Sequence, residues 1–173
     1  MMDQTVYYVT LRVADYGRRP FGVVQAGQVQ LNAAGQTIVE CWQEIGRDNA
    51  QVHLDAFVIM PNHLHGLIIF GEQTVAVGTG FMGSGFGRST VADEPAESAD
   101  RRMQIIQLIG QFAAQSVDRT GVDITEGFWH RPYEIQLIQS EKRLNALRHA
   151  IYKNPANWAK DRYYVPTTDQ DAA

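Results

Sequence analysis

The sequence predicts an α+β fold of ferredoxin-like type: an antiparallel sheet with helices packed on one face. Two observations predict it. Runs of β-branched and aromatic residues recur at strand length, and three stretches between or after them carry apolar residues at helical spacing. The order β, hairpin, α, β, β, insertion, α, β, α gives an antiparallel sheet with the helices on one face.

Val6-Tyr7-Tyr8-Val9-Thr10-Leu11-Arg12-Val13 reads as the first strand. Phe21–Val24 and Gln28–Leu31 flank Ala26-Gly27 and form a small hairpin. Asn32 is the N-cap of a helix to about Arg47, with Ile38, Cys41, Trp42 and Ile45 on its apolar face. Val52–Ile59 and His63–Phe70 are paired strands joined through Pro61-Asn62. Arg102 to about Arg119 is a helix with Ile105, Ile106, Leu108, Ile109, Phe112 and Ala113 as its buried stripe. Phe128–Ile138 reads as a strand. Ser140 caps a last helix whose face is Leu144, Leu147 and Ile151, and Asn154-Pro155 ends it.

The 173 residues make one domain, 1–173, interrupted at about 72–100 by a flexible insertion carrying Gly78, Gly80, Gly83, Gly85 and Gly87. That insertion lacks the Gly-Lys-Ser/Thr of a phosphate cradle. Hydrophobic content of 45% with 20% charged residues is globular composition. A single cysteine, Cys41, excludes a disulfide framework. The expected setting is cytoplasmic, with no membrane span and no signal peptide. A net charge of −4 argues mildly against nucleic acid, yet residues 101–162 hold ten Lys/Arg against six Asp/Glu. The acidic excess lies elsewhere.

Chemistry concentrates in Met60-Pro61-Asn62-His63-Leu64-His65-Gly66. Residues i and i+2 of a strand share a face, so His63 and His65 point the same way from what reads as a central strand. Two neighbouring core histidines would need polar partners, which favours a metal or phosphate role. His53 and Asp55 alternate on the preceding strand and are candidates to support such a site or to be ordinary surface.

Three segments together resemble the REP-associated tyrosine transposases, a branch of the single-tyrosine HUH transposases that act on single-stranded DNA hairpins. They are Phe57–Gly66, Phe128-Trp129-His130-Arg131-Pro132-Tyr133, and Leu144–Asp161 with its Asn154-Pro155. The likeness runs from about Tyr7 to Asp161 and skips the insertion. It implies that His63 and His65 bind a divalent metal, Mg²⁺ or Mn²⁺, with Asn154 as third ligand. It implies attack on phosphorus by a helix tyrosine, giving a 5′-phosphotyrosine bond and a free 3′-OH. It also implies a partner, single-stranded DNA with REP-like hairpins, and a monomer or homodimer.

The chain departs from that pattern at the nucleophile. The family's tyrosine stands four residues before the asparagine, and here that position is Ala150. Positions 150 and 154 share a helix face, whereas Tyr152 is rotated about 200° from 150. The expectation is a cleavage-dead form, whether substituted deliberately or a natural degenerate copy, with Tyr152 as a shifted nucleophile the alternative. Trp129, His130 and Arg131 are DNA-binding candidates through stacking and phosphate contact, with Trp129 as a core residue equally open. Arg12 and Arg148 are weaker candidates. The readings to be weighed are a transposase-type nickase in inactive form, a non-catalytic structure-specific DNA-binding protein, and a small metal-dependent hydrolase.

Overall fold

The structure, a computed structural model, describes residues 4–15, 17–71, 99–121 and 127–166. Most of the 72–100 insertion expected from the sequence lies outside the described residues. Its end does not: Ala99 and Asp100 already belong to a helix.

The elements in chain order are β1 (Thr5–Arg12), β2 (Gly22–Gln25), β3 (Gln28–Leu31), α1 (Ala33–Asp48), β4 (Val52–Ile59), β5 (His63–Phe70), α2 (Ala99–Thr120), β6 (Glu134–Ile138) and α3 (Glu141–Lys153), followed by a 3-10 turn, Pro155–Lys160. Four strands form one antiparallel sheet in the order β4-β5-β1-β6, and β2-β3 is a separate ribbon. The ribbon turns at Ala26 and Gly27, both at positive φ. A mirror-type hairpin turn needs that conformation at both central positions, and glycine supplies it without strain.

The helices do not share one face, and here the sequence expectation is corrected. Tyr7, Val9 and Leu11 of β1 and Leu64, Ile68 and Phe70 of β5 pack with Trp42 of α1 and Phe112 of α2. Val6 and Leu67 point the other way and pack with Leu144, Leu147 and Ile151 of α3. The physical reason is that Val6 and Tyr8 of β1 and Leu67 and Ile69 of β5 leave apolar surface on the second face as well, which needs a cover. Residues 63 and 65 have the parity of Leu67, so α3 covers the histidine face.

Two further expectations shift. Ile106 of α2 is largely exposed and drops out of its buried stripe. The strand expected from Phe128 begins only at Glu134. Pro132 has no N–H to give a ladder, and Trp129 keeps only an isolated bridge to Val13.

α1 is capped as expected: Asn32 Oδ1 accepts from Gly35 N at 2.9 Å. Across the sheet from the histidine face, Trp42 is fully buried and lies flat on Gly66. A Cβ at position 66 would stand 2.2 Å from Trp42 Cζ2. Gly66→Ala should therefore destabilise the fold by about 1–3 kcal/mol, read as a lower denaturant midpoint at unchanged m-value.

Between Leu54 and Phe57 the β4-β5 register slips at a bulge. Bulges re-aim side chains, and Asp55 within this one accepts from Ala56 N at 2.8 Å and pairs with Arg148 of α3 at 2.6 Å. That pair ties α3 to the edge strand.

Candidate metal centre and its rim

The turn Met60-Pro61-Asn62 delivers His63 into β5, and it is fixed from several sides. Asn62 is fully buried. Its carbonyl accepts from Val13 N at 2.9 Å, and its Nδ2 donates to the Tyr163 carbonyl at 2.9 Å. This second bond orients the amide so that Oδ1 faces His63 Nδ1 at 2.8 Å. Nδ1 must then carry the proton, and the lone pair sits on Nε2.

His63 Nε2 is buried and has no hydrogen-bond partner. Asp161 Oδ2 stands 3.5 Å away. A neutral imidazole lone pair facing a carboxylate oxygen is two acceptors without a donor, an arrangement that costs free energy unless a cation lies between them.

His65 completes the group. Its ring meets that of His63 at 4.7 Å between centroids. Tyr8 Oη and Thr10 Oγ1 each stand 2.8 Å from its Nδ1. With Nδ1 engaged, the nitrogen offered to an ion is Nε2. Ligand atoms of His63, His65 and Asp161 lie within 4.8 Å of one another, a span that one ion can bridge. The His63 side chain is fully buried, that of Asp161 is 7% exposed, and His65 is half-buried.

The electrostatics suit a cation. Burial, then the neighbouring His65 and Arg162, push His63 down to about 2. Burial, then Arg162, push His65 down to about 4. Both rings are neutral donors at ordinary pH. Burial raises the Asp161 carboxyl. Two imidazoles and one carboxylate suit Mn²⁺ better than Mg²⁺, which prefers oxygen.

The other residues singled out in the sequence divide. Asn154 is the C-cap of α3 and opens the 3-10 turn whose far end carries Asp161. Ala150 is exposed on α3, one turn before it. Tyr152 is 78% exposed, sits against Lys153 and lines a groove with Gly27, Val29 and Pro155. Trp129 is core: it is buried and its Nε1 donates to Ser116 Oγ at 3.0 Å. Its ring packs among Phe21, Phe112 and Phe128, and only its edge reaches the cleft that His130 and Arg131 line. His130 and Arg131 line a cleft of about 590 Å³ against α2, and that lining includes neither His63 nor His65. Arg148 pairs with Asp55 of the edge strand. Arg12 pairs across the strands with His63 and so starts from the same face.

Sequence reasoning missed Asp161, Asn62, Tyr8, Thr10 and Arg162. Tyr8 and Thr10 alternate on β1, but only the strand register shows that they meet His65. Asp161 gave no local signal.

No protein-family model matches the chain. An uncharacterized protein of Haemophilus influenzae is 33% identical over 151 residues, covering 84% of this chain and 77% of its own length. Among solved structures, a REP-associated tyrosine transposase bound to a REP hairpin superposes with a TM-score of 0.54 at 13% identity, over 91% of this chain and 70% of that one. A Deinococcus radiodurans protein described as a putative transposase gives 0.46 at 12% identity, over 88% and 93%. Among the described residues no helix is long and apolar enough to cross a membrane. The chain belongs to one family with the Haemophilus influenzae protein, and its fold is that of the REP-associated tyrosine transposase.

Proposed function

We propose that this chain binds single-stranded DNA hairpins through a divalent-metal site of the HUH transposase kind, in a form that lacks the nucleophile. The observation that carries this reading is the orphaned His63 Nε2 facing Asp161 at 3.5 Å on the face covered by α3. The shared fold supports it.

His63, His65 and Asp161 would hold the ion, with Asp161 taking the third position that the resemblance gives to Asn154. A cation bound there would offset the negative charge that builds on the non-bridging oxygens of a phosphodiester during cleavage. The remaining chemistry belongs to side chains. Asn62 holds the His63 tautomer. Tyr8 and Thr10 hold the ring of His65. Ala150 leaves a methyl group where the family's tyrosine would attack. Two other phenols stand near the histidines, and neither suits attack. Burial raises Tyr8, whose hydroxyl is engaged by His65, and burial with the adjacent Glu134 pushes Tyr163 up to about 12. A nucleophilic phenol needs the opposite shift.

The test is fluorescence anisotropy of labelled oligonucleotides with Mn²⁺ present. A stem-loop should bind at least tenfold tighter than its fully paired duplex, without covalent adduct. Equal affinity for both, or none for either, would remove the reading. A metal-dependent hydrolase acting on small esters would show no affinity for either oligonucleotide.

A further inference from the structure

Cross-strand pairing sets out a row of side chains on the histidine face: Val58, His65, Thr10 and Glu134 occupy successive strands at one level. Glu134 therefore stands two strands from His65, about 10 Å along the row. Above it, Arg162 donates to both oxygens of Glu134, at 2.9 Å and 3.4 Å. The Arg162 guanidinium also lies 4.7 Å from the Tyr163 ring, whose centroid is 4.9 Å from that of His63. Arg12, cross-strand from His63, approaches the same tyrosine ring at 6.0 Å. Two arginines thus converge on the tyrosine that walls the metal group.

Resting on the function proposed above, we propose that Arg162, with Arg12 beside it, is the site that takes a backbone phosphate of the bound strand next to the metal group. The geometry suits a phosphodiester. A guanidinium has five N–H donors in a planar fork, and Glu134 occupies two of Arg162's. The side chain is 66% exposed, so an incoming acceptor can reach it from solvent. Glu134 and Tyr163 hold the fork in place, so less side-chain freedom is lost when a phosphate arrives. Charge requires such groups as well. A divalent ion with Asp161 leaves one net positive charge, and Glu134 cancels it, so a phosphodiester would meet a neutral site without the arginines. The charge of Arg162 restores the attraction.

The test measures hairpin affinity against salt for the full chain, Arg162→Gln and Glu134→Gln, on two hairpins of unrelated stem sequence, with melting curves to confirm folding. Arg162→Gln should weaken both hairpins alike, by about tenfold, and lower the slope of log affinity against log salt by about one. Glu134→Gln should bind as tightly as the unaltered chain or tighter, because the amide oxygen still accepts from the fork while the competing negative charge is gone. An unchanged slope in Arg162→Gln overturns the proposal. So does an equal loss in both variants, which would mean that the pair merely ties down the tail. If the unaltered chain binds no hairpin, the proposed function and this site fall together; if it binds and Arg162→Gln does not differ, only this site falls.

Discussion

Ala150→Tyr should turn a chain that only binds a hairpin into one that nicks it and becomes covalently attached to the 5′ end. The expected gain is large, at least about a thousandfold in cleavage rate, because removing a nucleophile leaves only the residual contribution of binding and charge stabilisation. Denaturing gels would show the adduct as a protein band retarded by labelled DNA. Chelation should abolish it. The site can take the side chain: position 150 is exposed, so a phenol displaces no core atom. Its helix-propensity cost is only about 0.5 kcal/mol. α3 is the helix on the histidine face, and Asn154 lies one turn further along it. Tyr152→Phe should change nothing, since that ring is in solvent beside Lys153. Nicking by the unaltered chain that disappears in Tyr152→Phe would defeat this account and make Tyr152 the nucleophile.

Much of the fold was legible because local rules were obeyed. The bounds of β4 and β5 follow from apolar runs broken by Pro61-Asn62, and the caps Asn32 and Ser140 do what their side chains suggest. The two histidines were legible because a strand has period 2. What local rules cannot say is which side of a sheet a helix takes when both sides are apolar, and so α3 was misplaced. Trp129 beside His130 and Arg131 reads as a stacking platform until its indole N–H is seen to end on Ser116. Asp161 lay beyond reach for a different reason. Its place depends on the 3-10 turn folding back over β5, where Trp158 and Tyr163 pack on His63. No periodicity encodes such a return.

Acid should unfold the metal-free chain early, and the two histidines are the cause. In the unfolded chain an imidazole takes up its proton near pH 6.5. In the folded chain His65 does so only at about 4 and His63 at about 2. Between those values the unfolded state binds more protons, so stability falls as pH falls and is fully regained only above about 6.5. Two such groups cost on the order of 4 kcal/mol between pH 7.5 and 5, a large share of a typical domain's stability. Urea midpoints across that range would report it, and His65→Gln should remove about half the slope. The same shifts predict how an ion behaves. Mn²⁺ at a hundredfold excess over its dissociation constant should stabilise the fold by about 2.7 kcal/mol. Free imidazole would surrender that gain near pH 6.5, but here the gain should persist to about pH 5 and vanish through about 4, as His65 takes up its proton. Asp161→Asn should weaken Mn²⁺ at least tenfold while leaving the metal-free acid profile nearly intact, because the two imidazoles that set that profile remain buried. Stabilisation by Mn²⁺ that fades at pH 6.5, or that survives Asp161→Asn unchanged, would show that the ion sits elsewhere.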